Sequence, residues 1–250
     1  MTILRVEGIS KSYSGALVLD DLSFELRAGE IIAMIGPNGA GKTTCFNILD
    51  GQLRADRGQV FFADTGISRM ETHEILRLGV GRTFQIAATF HSFTVAENVQ
   101  IALLANRGLL WNLHSAARDL CRDEAQRMLE RLGMLAQSAQ ACSALSYGDL
   151  KRVELAIALA GQPRLLLMDE PTAGMAPRER LELMALVARL ARERELSVLF
   201  TEHDMDIVFA HADRILLLEQ GRLICQGAPA EVRADPRARR AYLGHDLGAP

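Results

Sequence analysis

Short apolar and alternating runs, separated by turn residues, fill residues 3 to 35. Leu22-Ser23-Phe24-Glu25-Leu26 alternates with a period of two and predicts a strand with one buried face. Ile31-Ile32-Ala33-Met34-Ile35 is apolar throughout and stops at a glycine, the pattern of a strand covered on both sides. From Glu97 to Gln140 the period lengthens: Met128, Leu129, Leu132 and Leu135 recur at three- and four-residue spacings with Arg and Glu between them, which predicts helices. The chain then alternates helix, buried strand at Leu165-Leu166-Leu167-Met168, helix from Arg178 to Arg194, and buried strand at Val198-Leu199-Phe200. That is the rhythm of a parallel sheet with crossover helices. Ile215-Leu216-Leu217-Leu218, the turn Glu219-Gln220-Gly221 and Leu223-Ile224-Cys225 predict a closing hairpin, and the arginine-rich segment after Asp235 predicts a surface helix with a frayed end.

Composition narrows the partners. A chain of 250 residues, 49% hydrophobic, can bury the core of one large domain or one domain with an insertion. Lys plus Arg total 28 against 31 Asp plus Glu, so no global positive field exists to attract nucleic acid or acidic lipid. No run reaches the roughly 20 uninterrupted apolar residues of a membrane span, and Met1 to Glu7 lack the basic start and apolar middle of a signal peptide. The expectation is a soluble, cytoplasmic protein. Cys45, Cys121, Cys142 and Cys225 lie scattered, without Cys-x-x-Cys or nearby His spacing, so four free thiols are expected rather than a zinc site or disulfides.

The chemistry begins at Gly36-Pro37-Asn38-Gly39-Ala40-Gly41-Lys42-Thr43. The segment satisfies the phosphate-loop pattern, follows a buried strand and precedes a segment that can be helical. Glycines let backbone N–H groups converge on phosphate oxygens, and the helix start adds unpaired N–H groups and a positive dipole end. Lys42 would place a point charge on the β- and γ-phosphates, and Thr43 would offer a hydroxyl to Mg²⁺. Asp169 and Glu170 then end a buried strand, where ligands sit in open α/β sheets. Asp169 would hold Mg²⁺ through its water shell, and Glu170 would orient or deprotonate the water attacking the γ-phosphate.

Taken together these residues resemble the nucleotide-binding subunits of ABC transporters, over nearly the whole chain. In that family a Leu-Ser-Gly-Gly-Gln signature opens a helix shortly before the Asp-Glu strand, and Leu145-Ser146-Tyr147-Gly148-Asp149 occupies that place with two substitutions. By itself this segment reads as a capping box, with Ser146 as N-cap and Asp149 three residues on. The resemblance implies an α/β phosphate-loop NTPase (RecA-like) core with a parallel sheet, an N-terminal antiparallel β subdomain and an inserted helical subdomain. The expected division is residues 1–85 and 155–250 for the core and 86–154 for the helical part. It implies ATP held by Gly36, Asn38, Gly39, Gly41, Lys42, Thr43 and Thr44, with Tyr13 stacked on adenine. It implies Mg²⁺ at Thr43, Gln85 and Asp169, and catalysis by Glu170, His203 and Gln85. Ser146 and Gly148 would close on ATP bound by a second ATPase subunit, identical or different, so the working unit is a dimer. The family reads Ser-Ala-Leu-Asp where this chain reads Ala173-Gly174-Met175-Ala176, so a carboxylate that couples the two sites is missing at Ala176.

Within the family, Val80 to Gln85 and Thr94 to Val99, the aromatic signature residue, the Ala173-Gly174-Met175 form after Glu170 and Ala241-Tyr242-Leu243-Gly244 are similar to the ATPases of bacterial importers for branched-chain amino acids, urea and short amides. That branch implies separate permease subunits, a solute-binding protein and a place on the inner face of the cell membrane. ATP closes the dimer, closure drags the permease between access states, and hydrolysis reopens it. Three rivals stand beside this reading: an exporter ATPase for lipid or polysaccharide, a soluble ABC-type ATPase acting on nucleic acid or ribosomes, and a subunit that binds ATP without hydrolysing it. The acidic balance and the lack of a second ATPase domain or long coiled coil speak against the nucleic-acid role.

Overall fold

The computed structural model describes residues 1–83, 89–109 and 121–243, the side chains of 242 and 243 excepted. Strands β1 (Thr2–Tyr13), β2 (Ala16–Arg27), β4 (Arg57–Phe62) and β5 (Thr65–Gly66) form an antiparallel sheet in the order β2-β1-β4-β5. A second sheet has the order β10-β9-β3-β8-β7-β6. Its strands are β3 (Ile31–Ile35), β6 (Val80–Thr83), β7 (Leu165–Asp169), β8 (Ser197–Thr201), β9 (Arg214–Glu219) and β10 (Arg222–Gly227). All its neighbours run parallel except β9 with β10, the hairpin the turn at Gln220-Gly221 predicts.

The unbroken apolarity of β3 follows from its two covered faces. Ile31, Ala33 and Ile35 join a core shared with the helices, whereas Ile32 and Met34 join a second core that includes Leu4, Leu22 and Phe62 of the antiparallel sheet. Alternate residues of one strand therefore belong to different cores, and a polar residue at any position would be buried. β7 divides the same way, with Leu166 and Met168 on the helical side and Leu165 and Leu167 on the other.

Helices α1 (Lys42–Leu49) and α2 (Thr72–Leu78) precede β6; α3 (Val95–Asn106), α4 (Arg122–Arg131) and α5 (Tyr147–Leu159) follow it. Thr94 and Glu97 close a reciprocal capping box at the start of α3. The expected division between residues 154 and 155 falls inside α5, which is one continuous helix from the signature to the sheet. α6 (Pro177–Arg194) and α7 (Met205–His211) flank β8. Two short helices follow β10, α8 (Pro229–Ala234) before Asp235 and α9 (Pro236–Ala238) after it. Val232 and Ala238 enter the helical-side core, while the arginine-rich segment after Asp235 keeps Arg237, Arg239 and Arg240 exposed, in line with the surface helix expected there. Among the described residues no helix is long and apolar enough to cross a membrane.

Candidate active site

The phosphate loop turns sharply out of β3. A side chain at Gly36 would place its Cβ 2.1 Å from the Leu218 carbonyl oxygen, because β9 runs directly behind it. Gly41 is the N-cap of α1 at φ +98°, and a Cβ there would meet Leu19 at 2.6 Å. These contacts demand glycine from the side away from the ligand, while Asn38, Gly39 and Thr43 stay exposed on the open side and Thr44 is half-buried. The loop is braced by the β9–β10 turn: Gly221 N–H donates to Ala40 O at 3.1 Å, and Asp20 N–H of β2 donates to Gly221 O at 3.0 Å.

Lys42 is buried, and its Nζ donates to the carbonyls of Gly36 at 2.6 Å and Pro37 at 3.2 Å. Burial pushes its pKa below the ordinary lysine value, and the carboxylates of Glu170 and Asp169 pull it back up. The ammonium is thus tethered over the loop by weak neutral acceptors, which a polyphosphate can replace with charged ones.

The ends of β7 and β8 deliver the rest. Asp169 and Thr201 are ladder partners, and the Thr201 hydroxyl donates to Asp169 Oδ1 at 2.7 Å while accepting from Glu170 N–H at 2.9 Å. Glu170 itself sits at φ +48°, a left-handed conformation that a non-glycine residue holds at a cost of about 1–3 kcal/mol. His203 Nε2 and Glu170 Oε1 lie 2.9 Å apart, which orients the carboxylate. Glu202, also buried, accepts from Thr172 N–H (3.0 Å), Thr172 Oγ1 (2.5 Å) and His203 N–H (3.2 Å), so it pins the segments on both sides of the Glu170–His203 pair. From β6, Arg82 reaches Asp169 Oδ2 at 3.5 Å and bonds Asp50 at 2.5 Å and Asn47 at 2.8 Å at the far end of α1. The strand order β8-β7-β6 therefore ties the Asp-Glu strand end to the phosphate-loop helix.

Lys42, Asp169, Glu170 and His203 are brought together as the sequence suggests. Tyr13 ends β1 with 45% of its surface exposed, on the same hairpin whose Leu19 packs behind Gly41. Gln85 lies outside the described residues. Ser146 caps α5 by accepting from Asp149 N–H at 3.1 Å, one half of the expected box, and is exposed. Gly148 is buried because the Glu179 carboxylate stands against it, 3.0 Å from where a Cβ would be. Sequence reasoning missed Thr201, Glu202, Arg82 and Asp50. The available signal was the placement of Thr201-Glu202 at the end of a buried strand, immediately before His203. The exposed Thr43 hydroxyl and the Asp169 carboxylate are hard oxygen donors that suit Mg²⁺, which takes one or two protein groups and completes its shell with phosphate and water.

A strand, a glycine loop, a lysine at a helix start and a strand-end Asp-Glu pair define a phosphate-loop nucleotide hydrolase. A family described as ABC transporter matches residues 19–173, and a segment described as Branched-chain amino acid ATP-binding cassette transporter matches residues 222–247. The high-affinity branched-chain amino acid transport ATP-binding protein LivG of Salmonella typhimurium is 38% identical over 97% of this chain and 98% of its own length. The lipopolysaccharide export system ATP-binding protein LptB of Escherichia coli K12 is 34% identical over 99% of each chain. The ADP conformation of MJ1267, an ATP-binding cassette of an ABC transporter, superposes with a TM-score of 0.87 at 31% identity, over 98% of this chain and 100% of that one. The chain belongs to the ABC transporter ATP-binding family, and it is an ATP-binding and ATP-hydrolysing transporter subunit.

Proposed function

We propose that this subunit powers uptake of branched-chain amino acids, or of a small solute of similar size such as urea or a short amide, through a separate permease. The observation that carries the solute class is the match of residues 222–247 to the segment described for branched-chain amino acid cassettes. LivG, related over nearly the whole chain, supports the same reading.

Within the site, Lys42 leaves the carbonyls of Gly36 and Pro37 for the β- and γ-phosphates, while Gly36, Asn38, Gly39, Gly41, Thr43 and Thr44 supply the cradle. Tyr13 stacks on adenine, a contact of about 1–3 kcal/mol in comparable base stacking. Glu170 accepts a proton from, or orients, the attacking water, and His203 holds that carboxylate and contacts the γ-phosphate. Thr43, Asp169 and Gln85 would hold Mg²⁺, which when bound supplies positive charge to the β- and γ-phosphates. Ser146 and Gly148 cover the γ-phosphate of ATP held by a partner ATPase subunit, identical or different. The helical unit that carries α3, α4 and the signature end of α5 faces the permease on the inner side of the membrane, and a solute-binding protein delivers the cargo. Closure of the dimer on ATP moves this unit, and hydrolysis resets it.

The relation to LptB favours one other reading, an exporter ATPase. The deciding experiment uses Glu170→Gln, which should bind ATP, lose roughly 10² to 10⁴ in turnover and trap the closed state. Copurification of this variant from native membranes with ATP, followed by mass spectrometry, should recover permease subunits and a second ATPase subunit of an amino-acid-type importer. Recovery of lipid-export components would install the exporter reading, and recovery of no membrane protein would remove both.

A further inference from the structure

Two departures from the family pattern, Tyr147 and the run 173–176, are distant in sequence and touch in the fold. A Cβ on Gly174 would lie 3.4 Å from Cε1 of Tyr147, so the ring rests on a glycine held at φ +79°. One turn along α5, Lys151 places Nζ 5.5 Å above the same ring while bonding Glu154 at 3.0 Å, and both charged side chains are buried. Glu179 of α6 makes a second junction. Its carboxylate packs against Gly148 and accepts from Ala176 N–H at 3.3 Å. The N-terminal end of α5 and residues 173–176 are thereby joined at two points inside one subunit.

From 173–176 the contacts run inward without a gap. Met175 N–H donates to Thr172 O and Ala173 N–H to Glu170 O, both at 3.1 Å. Thr172 bonds Glu202, Glu202 accepts from His203 N–H, and His203 meets Glu170. A glycine at 147 would have no side chain to reach Gly174, and the alanine at 176 has no carboxylate to carry a signal.

We propose that Tyr147 is a positioning residue that transmits engagement of the signature end of α5 to the Glu170–His203 pair of the same subunit, supplying the inter-site coupling that Ala176 does not make. The proposal rests on the reading that Ser146 and Gly148 cover the partner's ATP. Engagement of one site then sets the geometry of the other, and hydrolysis becomes cooperative.

The test compares the purified full chain with its Tyr147→Phe and Tyr147→Ala forms, measuring ATPase rate against ATP concentration and, separately, ATP affinity by equilibrium dialysis. The ring is half-exposed, so the alanine form folds. Tyr147→Phe should retain wild-type kcat and Hill coefficient. Tyr147→Ala should lose about 3- to 30-fold in kcat, with the Hill coefficient falling to about 1 and ATP affinity unchanged. Wild-type kcat and cooperativity in Tyr147→Ala would overturn the proposal. Loss of ATP-induced dimerisation in Tyr147→Ala would overturn it too, by assigning the ring to the partner's nucleotide. Ser146→Asp, which keeps an N-cap acceptor and sets a charge against the γ-phosphate, tests the underlying reading. If Ser146→Asp dimerises and hydrolyses normally, the shared site itself is refuted; if it fails while Tyr147→Ala is normal, only the coupling is.

Discussion

Thr201 does more for the site than its chemistry suggests. One hydroxyl fixes both Asp169 Oδ1 and the N–H of Glu170, a residue already in a left-handed conformation. Thr201→Val keeps the volume and removes both bonds, leaving a buried carboxylate oxygen and a backbone donor unsatisfied. The expected result is a loss of about 1–3 kcal/mol in urea unfolding and a drop in kcat, with Thr201→Ser restoring both. Lys42, Asp169 and Glu170 stand out in the sequence because each belongs to a short run whose chemistry is local, whereas His203 was reached only through the family resemblance. Thr201, Glu202 and Arg82 do not stand out, since their roles come from neighbours 30 or more residues away across the β6-β7-β8 order. The capping box at Ser146 was legible only by half, because spacing shows where a bond can form and not whether the Asp149 side chain makes it.

At the scale of elements, α5 carries a buried ion pair, Lys151 with Glu154. Burial raises the Glu154 pKa, and the Lys151 bond opposes that shift without cancelling it. A carboxyl with a folded pKa above its unfolded one binds its proton more tightly when folded. Its contribution therefore favours folding at low pH and declines as pH rises from the ordinary Glu range through the raised value. Glu154→Ala should cost about 3–5 kcal/mol, whereas Lys151→Met with Glu154→Leu should be neutral or stabilising by about 1–4 kcal/mol. Urea titrations of the two at neutral pH check both, and repeating them with the parent at acid pH checks the slope. Elements buried on both faces, such as β3 and β7, were legible from apolarity alone. The arginine-rich tail lies on the surface as its composition suggests, and what composition does not show is its one fully buried anchor among the described residues after Asp235, Ala238.

For the whole molecule, the phosphate loop leaves the end of β3 and its Ala40 packs into the core shared with the antiparallel sheet, so it is formed only in the folded chain, and nucleotide binding and global stability are linked. Bound ATP should add about 2.7 kcal/mol at a hundredfold excess over its Kd, read as a rise in Tm. Lys42→Ala should abolish the rise while changing the unliganded Tm much less, since among the described residues the hydrogen bonds of Lys42 go to carbonyls of its own loop. The order of the sheet also fixes when this linkage can arise. β3 is paired on one side by β8 and on the other by β9, and both lie more than 160 residues further along the chain. At about 5–20 residues per second, a nascent chain carries the complete glycine-lysine motif for roughly 10 to 40 s before the strands that shape it emerge. During that interval the motif is only sequence: it cannot grip ATP. A transcript broken before residue 214 would yield a polypeptide with every phosphate-loop residue, no β9 behind Gly36, and no hydrolysis to waste cellular ATP.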